Sequence, residues 1–132
     1  MERIVNSAGA IGAWLGLLAV AIGAFAAHAL RSRLPAADQA IVETAVRYQM
    51  YHALALVVVA LLQRTNPPAA MQRWLGRAAF TFAVGTVIFS GSLYALVGTQ
   101  VRSLGMVTPI GGVALLGGWL SLAMALKRPK SA

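Results

Sequence analysis

The sequence predicts an all-α integral membrane protein, a four-helix bundle with short loops and with both chain ends on the cytoplasmic side. Of the 132 residues, 59% are hydrophobic and only 11% are charged, and the mean hydropathy is +0.74. This composition leaves too little polar surface for a soluble domain. Four apolar runs are each long enough to cross a hydrocarbon core of about 30 Å. With their connections they use nearly the whole chain, so residues 1–132 are predicted to form a single transmembrane domain.

The first span is predicted over residues 4–30. Only Asn6, Ser7 and His28 interrupt its apolar run, which exceeds the length of about 20 residues that a transmembrane helix needs. A cleavable signal peptide is the alternative, because Arg3 precedes the run and small residues lie near its end. The run is longer than the apolar core of a signal peptide, so a retained span is predicted.

The second span is predicted over residues 40–62. The preceding stretch already has helical character, because Glu43 and Arg47 stand four residues apart on one helix face. Pro35 suits the start of a helix. The span therefore follows a helical segment that begins outside the apolar run.

The third and fourth spans are predicted over residues 78–97 and 108–126, and neither contains a charged residue. The sequence Asn-Pro-Pro at 66–68 marks the turn before the third span. After it, an interfacial helix start is indicated by Met71, Trp74 and Leu75 with Arg73 and Arg77. Pro109 fits the first turn of the fourth helix, because a proline there loses no helical hydrogen bond. Three short loops then join the four helices.

The orientation follows from the lysine and arginine residues on each side, which favour the cytoplasm. Four spans place the N-terminus, the second loop and the C-terminus on one side. The basic residues there outnumber those on the other side, so an N-in, C-in arrangement is predicted. The first side carries Arg3, Arg64, Arg73, Arg77, Lys127, Arg128 and Lys130. The second carries Arg31, Arg33 and Arg102, with Arg47 if it reaches that surface, and is accompanied by the acidic Asp38 and Glu43.

Small residues are expected to hold the helices together, because lipid tails are as apolar as leucine and only close packing can favour helix contacts. The first span carries such residues at alternating spacings of three and four, so one face of this helix has almost no side chains. A pore or a hinge is the functional interpretation of these glycines, and tight helix packing is the structural one, which we favour. The stripe consists of Gly9, Gly12, Gly16, Ala19, Gly23 and Ala26.

The net charge of +8 does not indicate nucleic-acid binding. The basic residues stand singly or in small groups between apolar runs, without a basic stripe interleaved with aromatic residues. Membrane topology accounts for them better. The sequence contains no cysteine, which excludes disulfides, thiolate metal sites and thiol catalysis.

Four sequence blocks resemble a known family. They are GAFAAHAL at 23–30, TAVRYQMYHAL at 44–54, SGSLY at 90–94 and LGMVTPIGG at 104–112. Together they resemble the YgdD/YwdK-like small membrane proteins, the family of domain of unknown function 423. The resemblance implies a small multi-pass protein of the bacterial cytoplasmic (inner) membrane. It implies no activity, cofactor or catalytic residue.

Ionisable side chains at membrane depth are functional candidates because they are expensive to bury there. Counted from the cytoplasmic ends of the spans at a rise of about 1.5 Å per residue, His28 lies about 33 Å along, Arg47 and Tyr94 about 24 Å, and His52 about 16 Å. A polar layer is therefore predicted in the outer half of the bundle. Its candidate members, which form a possible ligand- or lipid-binding cluster, are His28, Glu43, Arg47, Tyr48, Tyr51, His52, Ser92 and Tyr94.

Two interpretations of this layer are open. In the structural one, Arg47 pairs with Glu43 or extends outward to the membrane surface, while Tyr48, Tyr51, His52 and Tyr94 satisfy one another by hydrogen bonds. In the functional one, Arg47 together with His28 or His52 binds an anionic headgroup or a small solute, or relays protons.

Cofactor and enzyme chemistry finds little support in the sequence. A haem between the two histidines would need both rings at one iron, yet they are separated by about 17 Å in depth. A zinc site lacks clustered ligands, and a serine nucleophile lacks the GxSxG motif. We therefore predict no catalytic, cofactor-binding or metal-binding residues, no cofactor and no enzyme activity.

The predicted function is that of a non-enzymatic accessory factor that binds lipid or protein. The expected partners are membrane lipids and a second copy or another membrane protein, and nucleic acid is not expected. The alternative is an oligomeric transporter of small solutes, protons or ions that uses Arg47, His28 and His52. Four helices are too few to enclose a pathway in one chain, so transport would need several copies.

Overall fold

The protein is described here from a computed structural model, which covers residues 1–127. Over these residues it is built from four long helices joined by short connections. Arg128 and Lys130, which the sequence places on the cytoplasmic side, lie outside the described residues. The four helices are α1, Ala8–Phe25; α2, Ala36–Gln63; α3, Ala69–Thr99; and α4, Thr108–Leu126. Helix α1 continues as the π-helical turn Ala26–Leu30. Short helices at Glu2–Asn6 and Arg102–Met106 precede α1 and α4.

All four helices are long and apolar enough to cross a membrane, judged by length and composition. The predicted spans 40–62, 78–97 and 108–126 lie within α2, α3 and α4, whereas residues 4–7 of the first predicted span precede α1. Helix α3 begins at Ala69, well before the predicted 78. Pro68 immediately precedes this helix. Its first turns include Gln72, Arg73 and Arg77, which is why hydropathy alone places the start of the span later. The guanidinium carbon of Arg77 lies 4.7 Å from the centre of the Trp74 ring in this early part of α3.

The helices pack on one another in chain order, each against the next. In the described chain α1 and α4 make almost no contact with each other, so they lie on opposite sides of the α2–α3 pair and the bundle is open rather than a closed ring. The core lies between α2 and α3, where Leu56, Val59, Leu75 and Phe82 are fully buried. The α1–α2 and α3–α4 connections share one end of the bundle, which we call the two-loop end.

The small-residue stripe of α1 faces α2, and this confirms tight packing at its glycines. A Cβ atom placed on Gly12 would lie 2.7 Å from the carbonyl oxygen of Ala53. A Cβ on Gly9 would lie 3.1 Å from Ala60 Cβ. The two backbones can approach this closely only because glycine has no side chain.

Helix α4 uses glycine in the same way against α3. A Cβ on Gly111 would lie 2.5 Å from the backbone nitrogen of Phe89, and a Cβ on Gly118 would lie 2.6 Å from the Phe82 ring. Gly117 differs, because a Cβ there would meet no heavy atom within 4 Å in residues 1–127. The α3–α4 interface therefore depends on particular glycines rather than on the glycine content of the helix.

Candidate functional site

His52 is buried where α2 meets α3 and α4. Its Nδ1 lies 2.6 Å from the carbonyl oxygen of Tyr48, and the indole Nε1 of Trp119 donates to its Nε2 at 3.0 Å. An indole nitrogen can only donate, so Nε2 accepts and the proton is assigned to Nδ1, which donates to the carbonyl. The ring is therefore neutral, and both of its nitrogens are engaged within the protein.

Gln49 joins three helices and was not predicted as a site residue. The Tyr94 hydroxyl donates to Gln49 Oε1 at 2.7 Å, and Gln49 Nε2 donates to the carbonyl oxygen of Leu15 at 2.8 Å. The prediction that Tyr48, Tyr51, His52 and Tyr94 satisfy one another is therefore wrong. Tyr94 bonds to Gln49, and His52 bonds to Trp119 and to the backbone. Gln49 and Trp119 were not predicted as partners because uncharged residues do not stand out in an apolar sequence.

Replacing Tyr94 by phenylalanine is expected to lower the free energy of unfolding by about 1 kcal/mol, because Gln49 Oε1 is then left buried without a donor. Thermal unfolding of the detergent-solubilised protein measures the change. Tyr51→Phe is the matched control, since Tyr51 is 55% exposed and its hydroxyl makes no hydrogen bond within residues 1–127. Equal melting temperatures for the two variants would contradict this assignment.

Two serines of α3 also make buried polar contacts. Ser90 Oγ donates to the carbonyl oxygen of Ala45 at 2.7 Å, and Ser92 Oγ lies 2.6 Å from Thr108 Oγ1. Ser92, a predicted member of the polar layer, thus joins α3 to the start of α4. These side chains hold helices together and are not exposed to a ligand.

Asp38 is a second residue that the sequence did not single out. It is 2% exposed, and its two carboxylate oxygens accept hydrogen bonds from Arg102 Nη1 and Gln100 Nε2, both at 3.0 Å. Arg102 Nη2 also donates to Gln100 Oε1 at 2.8 Å. This cluster ties the start of α2 to the α3–α4 connection. Its only sequence signal is that an acidic and a basic residue are predicted on the same side of the membrane.

Glu43 and Arg47 are the charged pair that remains on the surface. Arg47 Nη2 lies 3.8 Å from Glu43 Oε2, and their side chains are 66% and 67% exposed for Glu43 and Arg47, respectively. The ion pair expected from their spacing is therefore present, but it is loose and open. Arg47 and Tyr94 were predicted at the same depth, but Tyr94 bonds to Gln49 instead.

These two charges line a groove between α1 and α2, which we call the α1–α2 groove. Its volume is about 450 Å³, and Arg31 also lines it. Small residues of α1 form the opposite wall, and Val42 and Val46 form part of its apolar surface. His28 lies on the adjoining π-helical turn but does not line the groove. The small residues are Gly23, Ala26 and Ala27.

A second groove lies between α2 and α4 and shares no residue with the first. It measures about 810 Å³ and is largely apolar. The predicted site residues Tyr48 and Tyr51 line it together with Trp119, and the Tyr48 ring stacks on Phe89 with centroids 4.4 Å apart. The predicted single layer is therefore divided among an internal network and two separate grooves.

Four apolar helices whose buried polar side chains mostly bond within the protein define a small multi-pass membrane protein; among residues 1–127, Gln63 Nε2 and Thr86 Oγ1 are buried without a hydrogen-bond partner. The chain belongs to the family described as protein of unknown function (DUF423), whose model matches residues 22–112. This confirms the family that the four sequence blocks indicated.

Its relatives are named as membrane proteins. It is 43% identical to the UPF0382 membrane protein YwdK of Bacillus subtilis, over 87% of this chain and 91% of the relative. It is 39% identical to the UPF0382 inner membrane protein YgdD of Escherichia coli, over 86% of each chain. A UPF0382 membrane protein of Staphylococcus epidermidis is 46% identical over 87% of this chain and 90% of the relative. No solved structure matches. The protein is therefore a multi-pass protein of the inner or cytoplasmic membrane.

Proposed function

We propose that the protein is a non-enzymatic accessory factor that binds a phospholipid in the α1–α2 groove. One observation carries the proposal: Arg31 and Arg47 line a surface groove whose remaining walls are mostly small or apolar. Guanidinium groups suit a phosphate, which they can bind through several N–H donors. The apolar walls suit the adjoining glycerol and acyl region of the same lipid.

The depth of the charged residues supports a headgroup site. Helix α2 ends at Gln63, and a hydrocarbon core of about 30 Å measured from there, at about 1.5 Å per residue, reaches Glu43. Arg47 then lies only about 6 Å inside the boundary, within the reach of an arginine that extends its guanidinium toward the headgroups. Glu43 thus lies at the edge of the headgroup region, and the guanidinium of Arg47 can reach that region.

The arrangement of the polar residues favours binding over transport. The three residues on which the transport alternative depends lie apart: Arg47 in the groove, His28 on the exposed π-helical turn and His52 in the interior. Both ring nitrogens of His52 are engaged by Trp119 and the Tyr48 carbonyl oxygen. A proton relay would need a group that can exchange its proton with a neighbour along a path.

The same residues give little support to enzyme activity. The sequence has three acidic residues, Glu2, Asp38 and Glu43. Asp38 is engaged at both oxygens, and Glu43 lies at the lipid surface beside Arg47. Binding is the role that this set of groups fits. A protein partner or a second copy would find its apolar contact surface in the separate α2–α4 groove.

We further propose the N-in, C-in orientation, which places the two-loop end and the α1–α2 groove in the outer leaflet. The excess of basic residues at the opposite end supports it. Because the sequence has no cysteine, single-cysteine variants can test it with an impermeant maleimide. Ser103→Cys is expected to react in intact cells and Thr65→Cys only after permeabilisation. The reverse pattern would place the groove in the cytoplasmic leaflet.

Replacing Arg31 by glutamine is expected to lower phospholipid affinity about fivefold, the contribution of one basic residue at a lipid surface. Phospholipid phosphorus per protein after gel filtration in detergent measures it. Arg33→Gln is the matched control, because it removes the same charge from the same connection and does not line the groove. Equal phospholipid retention by the two variants would overturn the proposed site.

A further inference from the structure

We propose that the lipid held in the α1–α2 groove carries a zwitterionic headgroup in which a phosphate is joined to a primary ammonium, as in phosphatidylethanolamine. This inference rests on the proposed phospholipid site and specifies its ligand. The groove offers two guanidinium groups, from Arg31 and Arg47, and one carboxylate, from Glu43. A headgroup with one negative and one positive charge is complementary to this set.

The spacing of the Glu43–Arg47 pair leaves both groups able to bind a ligand. Their nearest atoms are 3.8 Å apart, longer than the roughly 2.7–2.9 Å of a charge-assisted hydrogen bond. Both side chains are about two-thirds exposed, so a headgroup can reach them. Arg31 and Arg47 line the same groove as Glu43, so a phosphate bound by a guanidinium group leaves the ammonium able to donate to Glu43.

Glu43 disfavours a headgroup that is only anionic. Such a lipid would bring its phosphate beside the carboxylate without a cation to balance it, and like charges at this distance repel. Without Glu43 the groove would keep two positive charges and would accept any anionic phospholipid. Glu43 is therefore the residue that we assign to headgroup selectivity.

The groove also disfavours a quaternary ammonium. Choline groups have no N–H to donate and are recognised by aromatic rings, yet no aromatic residue lines the α1–α2 groove. The aromatic residues Tyr48, Tyr51 and Trp119 line the other groove. A primary ammonium, which donates N–H to a carboxylate, matches the groups that are present.

The side chain of Gln39 fixes the rim of the groove through hydrogen bonds to the backbone. Gln39 Nε2 donates to the carbonyl oxygens of Arg31 and Leu34, at 2.8 and 2.7 Å. These bonds tie the α1–α2 connection to the first turn of α2. The backbone position of Arg31 is therefore set before a lipid binds, which limits the ordering that binding requires.

The test uses the full-length protein in nanodiscs with equal amounts of phosphatidylethanolamine, phosphatidylglycerol and phosphatidylcholine, and native mass spectrometry of the lipids that remain bound. The native protein is expected to retain phosphatidylethanolamine about threefold over each of the others, the selectivity that one exposed ion pair can give. Glu43→Gln is expected to abolish the preference over phosphatidylglycerol without lowering total phospholipid. Glu2→Gln, which removes an acidic residue from the opposite end, is expected to keep the preference.

Several outcomes would overturn the inference. Equal retention of the three lipids by the native protein would reject headgroup selectivity while leaving the phospholipid site intact. A preference that survives Glu43→Gln would reject the role of Glu43. Displacement of the lipid by soluble O-phosphoethanolamine would assign the groove to a free phosphoamine instead of a lipid. A failure of the proposed function can be distinguished from these outcomes, because it would leave the total bound phospholipid of the Arg31→Gln variant unchanged.

Discussion

Replacing Gly111 by alanine is expected to lower the free energy of unfolding by about 2 kcal/mol, within the range found for overpacked interiors. The new methyl group would lie 2.5 Å from the backbone nitrogen of Phe89 and 2.8 Å from its Cα. These are backbone atoms of a long helix, so they cannot turn away as a flexible side chain would. Helices α3 and α4 must separate, and the contacts around Gly111 loosen.

Gly117→Ala is the matched control for this prediction. It makes the same chemical change on the same helix, but the methyl group meets no heavy atom within 4 Å in residues 1–127. Alanine also favours helix over glycine by about 1 kcal/mol, so Gly117→Ala is expected to keep or slightly raise the melting temperature. Fluorescence-detected size-exclusion chromatography after heating measures both variants. An unchanged melting temperature in Gly111→Ala would show that the two helices are not in such close contact.

Replacing Gly12 by alanine is expected to detach α1 from α2, at a cost of about 1–3 kcal/mol. The methyl group would lie 2.7 Å from the Ala53 carbonyl oxygen and 3.0 Å from Leu56 Cβ. Gly12 is one of only three residues that α1 buries, so a methyl group there must push the two helices apart at one of their closest points. Because α1 forms one wall of the α1–α2 groove, this variant is also expected to lose bound phospholipid.

Gly16→Ala controls for the substitution on the same helix face. Its methyl group would lie 3.9 Å from Ala53 Cβ, an ordinary contact. We expect native stability and native phospholipid content in this variant. A Gly12→Ala protein that unfolds earlier yet keeps its phospholipid would separate the helix contact from the groove and would contradict the link between them.

The spans and the packing face of α1 could be predicted from the sequence because both are local patterns. A long apolar run identifies a helix that can cross a membrane, and small residues three and four positions apart fall on one face. The early start of α3 at Ala69 could not be found from hydropathy. The mixture of apolar and basic residues from Met71 to Arg77 did indicate a helix start before residue 78, and this segment is helical.

The members of the predicted polar layer have other partners than the sequence indicated. Depth depends on residue number alone, whereas the direction of a side chain depends on the rotation of about 100° per residue and on how the helices pack. Arg47 and Gln49 are two residues apart and so point about 200° apart around α2. Gln49 therefore meets Tyr94 inside, while Arg47 lies in the surface groove.

The pairing of Asp38 with Arg102 could not be predicted from the sequence for a related reason. The two residues are far apart along the chain, and their contact exists only because α2 and α3 place the α3–α4 connection over the start of α2. The predicted spans indicated only that both lie at the same end of the bundle. Which acid meets which base was set by tertiary packing.

Native mass spectrometry of the protein extracted with its own lipids tests the lipid-binding account most directly. The doubly substituted protein Arg31→Gln/Arg47→Gln is compared with Arg33→Gln/Arg64→Gln, which removes the same charge from positions outside the α1–α2 groove. The account predicts a bound phospholipid on the native protein and on the second variant, and its loss from the first. Equal amounts of bound phospholipid on both variants would contradict it.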